Sequence, residues 1–307
     1  MALGSLHQTV TTAAKFIPDI WSDEVVATYK SNLVAANLIK KMNIVGKKGD
    51  VIHIPKPGRG AANAKVASTQ VVLNTDTATE VLVNLDQHWE FSILIEDIVE
   101  VQALASMRQF YTDDAGYALA RKVDSTLIAL GRGFNGGSGT TAYSGAFSGA
   151  DGTTAYVAGA NTGLGAITDI AIRRSIQRLD DNDTPMDGRF LIIPPSTRNT
   201  MMGISTYTQQ SFVGEVGAGN TIRNGEIGNV YGVPVFVTTN ADTTSGSTAC
   251  RIALMGHRDC AVLATQKGVR TQTQYKQEYL GNLFTADTIF GVAELRDGAA
   301  IALAVPA

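Results

Sequence analysis

LDQHWEFSILIEDIVEVQALASMRQFYTDDAGYALARKVDSTLIAL, residues 85–130, is the stretch that decides the fold. Its first part alternates. Trp89, Phe91, Ile93 and Ile95 are separated by Glu90, Ser92 and Leu94, the period of two of a half-buried strand. Its second part changes period. Leu104, Met107, Tyr111, Ala115, Leu119, Val123, Leu127 and Leu130 recur every three or four positions, so a helix over 96–130 carries one apolar stripe. Asp113 and Asp114, ahead of Arg121 and Lys122, follow the helix dipole if the helix begins near Ser106. Gly116 costs up to ~1 kcal/mol relative to Ala in a helix interior, which marks it for a close backbone approach or a bend.

Upstream, residues 19–43 are expected to form a helix from Trp21, Val25, Val26, Leu33, Val34, Leu38 and Met42, ended by Gly46 and Gly49. Residues 50–54, Asp-Val-Ile-His-Ile, are a strand closed by Pro55 and Pro57. Residues 80–83 are a second strand, and between the two lies a polar excursion, 56–79, broken by the short apolar run Val71, Val72 and Leu73. Two strands with that excursion between them describe an extended hairpin. A loop with so little apolar content has no core of its own and must lie on something else.

Downstream, residues 131–165 hold 11 glycines and read as a surface loop or a small glycine-rich hairpin. No Gly-Lys-Ser/Thr follows, so this is not a phosphate loop. From Ala166 helices and strands alternate: an amphipathic helix over 167–179, a buried strand 189–193 stopped by Pro194 and Pro195, and a helix 196–202 capped by Ser196. Strands follow at 233–237, 251–255, 260–264, 290–295 and 299–305, with 272–279 polar and extended.

Across all 307 residues the charge is low, 17%, and the apolar fraction is 44%. That excludes a disordered chain and a basic nucleic-acid binder, and the length suggests about two domains. No run reaches the ~18 apolar residues of a membrane helix, and Met1–Thr12 lacks the charged and apolar regions of a secretory signal. The net charge of −3 hides an asymmetry. Residues 1–70 carry nine Lys or Arg against four acids, whereas 71–100 carry seven acids and no base. Adjacent blocks of opposite sign suit a chain that meets copies of itself, since charge complementarity fixes register.

Chemistry-bearing residues are sparse. Cys250 and Cys260 make no disulfide framework. Zinc has only His257 nearby and no C-x-x-C. An enzyme would draw on His53, His88, His257, Asp86, Asp259 and Cys260. In a strand, however, His257 and Asp259 share a face while Cys260 points away, and no oriented third group or oxyanion donor is visible. His53 and His88 read as strand histidines. No catalytic residue, cofactor or metal ligand is therefore assigned, and the chain is not expected to be an enzyme.

Four stretches in order carry a resemblance. They are FIPDIWSDEV (16–25) with NLVAANL (32–38) and GDVIHIP (49–55); LDQHWEFSILIEDIVEVQA (85–103) running into ALARKVD (118–124); DNDTPMDGRFLIIPPS (181–196) with IGNVYGVPVFVTTN (227–240); and FGVAELRDGAAIAL (290–303). Together the chain resembles a tailed-bacteriophage major capsid protein of the Hong Kong 97 type, in the branch similar to the coat proteins of P22-like viruses.

The resemblance implies an α+β fold in six parts: an N-terminal arm (1–50), an extended β-hairpin loop (51–88), a peripheral domain with a long spine helix (89–135), a glycine-rich insertion (136–165), a central axial domain (166–258) and return strands of the peripheral domain (259–307). It implies pentamers and hexamers tiling an icosahedral shell around double-stranded DNA, with portal and scaffolding or cement proteins as partners and no membrane. It places the chain in the virion, made in the bacterial cytoplasm. Intersubunit contacts are expected at Lys56, Arg59, Lys65, Asp76 and Glu80. A cross-link through Lys56 or Lys65 lacks a matched Asn and Glu motif. Within the same architecture the rival is an encapsulin-like compartment with enzyme cargo. From other classes the rivals are a hydrolytic enzyme and a β-rich adhesin or decoration protein, with the glycine-rich segment as an exposed insertion.

Overall fold

The computed structural model describes residues 33–56, 58, 60, 62–71, 73–74, 79–98, 107–137, 143–157, 163–208, 228–243 and 250–307. Most of the expected helix over 19–43 lies outside them. Its visible end differs from the expectation: after a single turn, α1 (Ala35–Leu38), the chain extends into β1 (Lys40–Asn43). β1 runs parallel to β10 (Ala261–Lys276), Met42 opposite Ala264. The apolar spacing at 38–42 serves a strand because a sheet edge is there to receive it.

Around β1 is a four-stranded sheet in the order β1-β10-β11-β4, with β4 (Gln87–Glu96), β10 (Ala261–Lys276) and β11 (Gly281–Glu294). The alternation read from 89–95 is realised. Phe91 and Ile93 face the long helix α2 (Met107–Ala129) and pack with Ala115, Leu119, Phe284 and Ala286. The hairpin of β10 and β11 is far longer than the two short strands and the extended tract expected, because its outer face is wet. Arg270, Gln272 and Gln274 pair opposite Asp287, Thr285 and Leu283, and such a face needs no apolar residue to remain strand.

Spine helix α2 ties this sheet to a second one. Farther along it, Leu127 and Ile128 enter a core with Ile252, Leu254, Leu263 and Phe290. Gly116 makes no close approach: a Cβ placed there meets nothing within 4 Å.

The second sheet has six strands, β5-β12-β9-β6-β8-β7. These are β5 (Phe147–Ser148), β6 (Arg189–Ile193), β7 (Asn229–Val230), β8 (Val233–Val237), β9 (Cys250–His257) and β12 (Ala300–Pro306). It is covered on both faces. Phe190, Ile192, Ile252, Leu254, Ala300, Ala302 and Ala304 enter the core shared with α2. Their alternates Leu191, Ile193, Ala253, Met255, Ile301, Leu303 and Val305 pack under α3 (Asp169–Asp181) and α4 (Pro195–Met202). Burial on both faces is why 189–193 reads as an unbroken apolar run. β12 departs from the expected return to the peripheral sheet. It pairs with β9 and β5, because its alternating Ala and Ile/Leu/Val faces fit two cores at once.

Two further expectations are corrected. Ser196 does not cap α4; its hydroxyl donates to the Pro306 carbonyl at 3.1 Å, and Pro194 holds the cap position. Of the two readings of the glycine-rich region, its described residues take the small hairpin, Phe147 pairing antiparallel with Ala155, and not the surface loop. Tyr143, Tyr156 and Phe134 are among the largest fully buried side chains of the molecule, and they share the core with the small face of β12, Ala300, Ala302 and Ala304. Gly149 is required there, since a Cβ would lie 2.5 Å from the Gly165 carbonyl oxygen. Glycine in this region serves close packing, a use that composition does not distinguish from flexibility.

Candidate assembly surfaces

The extended hairpin pairs β2 (Val51–Lys56) with β3 (Thr79–Asn84), Val51 opposite Asn84 and Lys56 opposite Thr79. One face, with Ile52, Ile54 and Val83, packs on Met42, Val262, Ala264 and Leu295. The other carries His53, Glu80 and Leu82 into solvent, and His53 Nδ1 lies 2.9 Å from Glu80 Oε2. The base of the hairpin is thus anchored to its own subunit; farther out, the described apolar residues are exposed. Val66, Val71 and Leu73 are exposed, Leu73 by 85%. Asn63 donates to Asn74 at 2.6 Å, holding the two limbs together.

Arg59 and Asp76, two of the five contact candidates, lie outside the described residues. Lys65 donates to the carbonyls of Val66 and Thr69, so it shapes its own loop. Glu80 faces His53. Lys56 is exposed and close enough to Glu294 to stabilise its ionised form. The exposed Val66, Val71 and Leu73 were not among the candidates; the signal for them is apolar residues inside a tract otherwise too polar to fold.

Of the acidic block of 71–100, Glu90 and Glu96 lie on β4, the edge strand of its sheet, and Asp86 and Asp97 flank it. Charges there blunt an open edge. Behind Glu90, Asp287 is nearly buried and takes a bidentate bond from Arg270 at 2.9 and 3.0 Å, with His88 3.5 Å away. Arg270 holds this carboxyl below the ordinary carboxylate range. At the turn of the β10–β11 hairpin, Tyr275, Tyr279, Leu280 and Ile98 are exposed, and Tyr275 donates to Asp97 at 2.7 Å.

Against the six-stranded sheet, Asp169 at the start of α3 accepts from Tyr207 at 2.7 Å, Tyr231 at 2.6 Å and Arg173 at 2.8 Å. It clasps both chain ends that lead into 209–227. Hydrogen bonding lowers the Asp169 pKa against its burial.

Both ring nitrogens of His257 are engaged with the backbone. His257 Nδ1 accepts the backbone N–H of Asp259 at 3.1 Å and caps a short 3₁₀ turn, while Nε2 lies 2.8 Å from the Asp187 carbonyl. The Cys260 thiol is buried and pushed up to about 12 by desolvation, which keeps it from being a thiolate nucleophile. Among the described residues no three His, Cys, Asp or Glu gather as metal ligands, and no helix is long and apolar enough to cross a membrane.

The body thus carries one hairpin anchored at its base and exposed apolar groups at Val66, Val71 and Leu73 and at Tyr279 and Leu280. A family model described as phage capsid protein matches residues 91–302, and the chain belongs to that family. Solved structures share its fold. A chain of Mycobacterium phage Che8 superposes with a TM-score of 0.74 at 22% identity, covering 94% of this chain and 97% of that one. A chain of the capsid of cyanophage P-SCSP1u gives 0.76 at 18% identity, over 99% and 96%. One from the mature capsid of bacteriophage PhiM1 gives 0.72 at 13%, over 99% and 97%. No curated protein matches. The fold is of the Hong Kong 97 type, and the protein is a major capsid subunit of a virion shell.

Proposed function

We propose that this subunit closes head to tail into pentamers and hexamers that tile an icosahedral shell around double-stranded DNA, and that it does so without a catalytic step. Identical head-to-tail contacts form rings when the rotation closes. The observation that carries the reading is the hairpin, held to its own sheet through Ile52, Ile54 and Val83 while Val66, Val71 and Leu73 stand in water. Laid across a neighbour, those three residues lose apolar exposure, and Lys56, Arg59 and Lys65 meet acidic groups such as those of the neighbour's β4 edge. Asp76 and Glu80 are the acidic members of the same contact. Portal and scaffolding or cement proteins complete the particle.

Negative-stain microscopy with size-exclusion chromatography tests this. Rings or closed shells are expected. A monomer that stays monomeric even with its scaffold present overturns the reading. Reversing Lys56, Arg59 and Lys65 to Glu is expected to abolish shells while leaving the monomer's circular dichroism unchanged; normal shells from that variant refute the charge contact.

A further inference from the structure

Between α2 and the segment that follows β8 lies an open cavity of about 340 Å³. Arg121, Lys122 and Ser125 line one wall from a single helix face, at the three- and four-residue spacing that puts them side by side. Asn240, Asp242 and Arg251 line the other. Arg121 Nε donates to Asn240 Oδ1 at 3.2 Å, which holds the guanidinium across the gap. Arg251 Nη1 donates to the carbonyls of Ala241 at 2.8 Å and Thr239 at 3.3 Å. Lys122 Nζ sits 4.0 Å from the centre of the Trp89 ring.

Among the described residues none of these three cations pairs with a carboxylate. The two nearest acids are occupied elsewhere. Asp242 accepts from Arg132 at 2.7 and 2.9 Å, from Tyr143 at 2.7 Å and from its neighbour's N–H at 2.9 Å. Asp124 accepts from the N–H groups of Val34 and Ala35 and from Asn240 Nδ2. The cavity therefore presents two guanidinium groups with donors to spare, the Lys122 ammonium over the Trp89 ring adds its charge from the same wall, and a concave surface concentrates their field. Planar forks match the oxygens of phosphate better than a point charge does.

We propose that this cavity is a phosphate-binding site, with Arg121, Lys122 and Arg251 as its ligands. The phosphate comes either from the backbone of the nucleic acid inside the shell or from free phosphate. Only the first source rests on the reading of a DNA-filled shell.

The test uses the intact subunit, the double variant Arg121→Gln/Lys122→Gln and the variant Arg251→Lys. Inorganic phosphate at 10 mM is expected to raise the melting temperature of the wild type by about 2–4 °C. The double variant should lose this rise, and Arg251→Lys should weaken it. Fluorescence anisotropy with a short DNA duplex should show about tenfold weaker binding by the double variant at 0.1 M salt. Its salt slope should be smaller by about 1–2.

A phosphate response without any change in duplex binding assigns the site to free phosphate. An equal melting shift in wild type and double variant, or no shift in either, overturns the proposal. Circular dichroism keeps misfolding out of the comparison. Shells formed by a double variant that has lost phosphate binding separate this result from the assembly reading, which fails only if the wild type makes none.

Discussion

Asp124 of the spine helix accepts the backbone N–H of Ala35 at 2.7 Å from 89 residues away in sequence. The same oxygen takes the N–H of Val34 at 3.1 Å, and the carboxylate is fully buried. One side chain thus caps the first turn of α1 and fixes where the N-terminal part of the chain meets the body. Asp124→Ala leaves two buried donors unsatisfied and should cost about 2–4 kcal/mol in urea unfolding. Hydrogen exchange at Val34 and Ala35 should rise before global unfolding. Unchanged protection there would show that the cap is dispensable.

Tyr143 tests whether the glycine-rich segment is core. Tyr143→Phe removes only the hydroxyl that donates to Asp242 at 2.7 Å, and should cost about 1–2 kcal/mol. Tyr143→Ala also opens a cavity against β12 and should cost about 3–5 kcal/mol. Removal of 143–157 should abolish soluble folding. A deletion that still melts cooperatively would restore the segment to the surface.

Glu294 should make the subunit's stability depend on pH. Burial and the adjoining Asp297 carboxyl push its pKa up to about 7, against a lesser attraction from Lys56. Asp297 is itself held by the Gly136 N–H at 3.0 Å, so the pair cannot move apart freely. The folded pKa exceeds the unfolded one, so the protonated form is the stable one in the fold. Its contribution is full below about pH 4.5, declines as pH rises, and is gone above about pH 7. Discounted for its half exposure, the effect is about 1 kcal/mol. Glu294→Gln should flatten the stability profile between pH 4.5 and 7 and melt above the wild type at pH 8. Parallel profiles for the two proteins would refute the assignment.

Gly116 has open space around it, so Gly116→Ala should raise monomer stability by up to ~1 kcal/mol. If the subunit then melts higher but assembles poorly, a neighbour approaches the helix at that point. Lower monomer stability would contradict the open space itself.

The parts that were legible in the sequence are those whose burial follows one rule along the chain. β4 and α2 declare themselves by period, β6 by unbroken apolarity, and the hairpin by polarity between two strands. The parts that were not legible depend on a partner distant in sequence. Lys40–Asn43 is a strand because β10 offers an edge. Thr271–Lys276 extends β10 because β11 pairs with it, not because its residues are apolar. The cavity cations Arg121 and Lys122 looked like dipole-matching surface charges until Arg251 faced them. Of the hairpin, the sequence marked the basic residues but not the exposed Val66, Val71 and Leu73 as the apolar contact.

By itself, then, the sequence determined the class: a long helix on an alternating strand and a hairpin without a core, local patterns set by side-chain period. Tertiary structure decided which face each element turns and what fills it. The clearest case is the glycine-rich segment. Its composition is that of a flexible loop, yet Tyr143 and Tyr156 are buried in the same core as the alanines of β12, some 150 residues later. Packing volume is a property of two surfaces together, and no single stretch of chain encodes it.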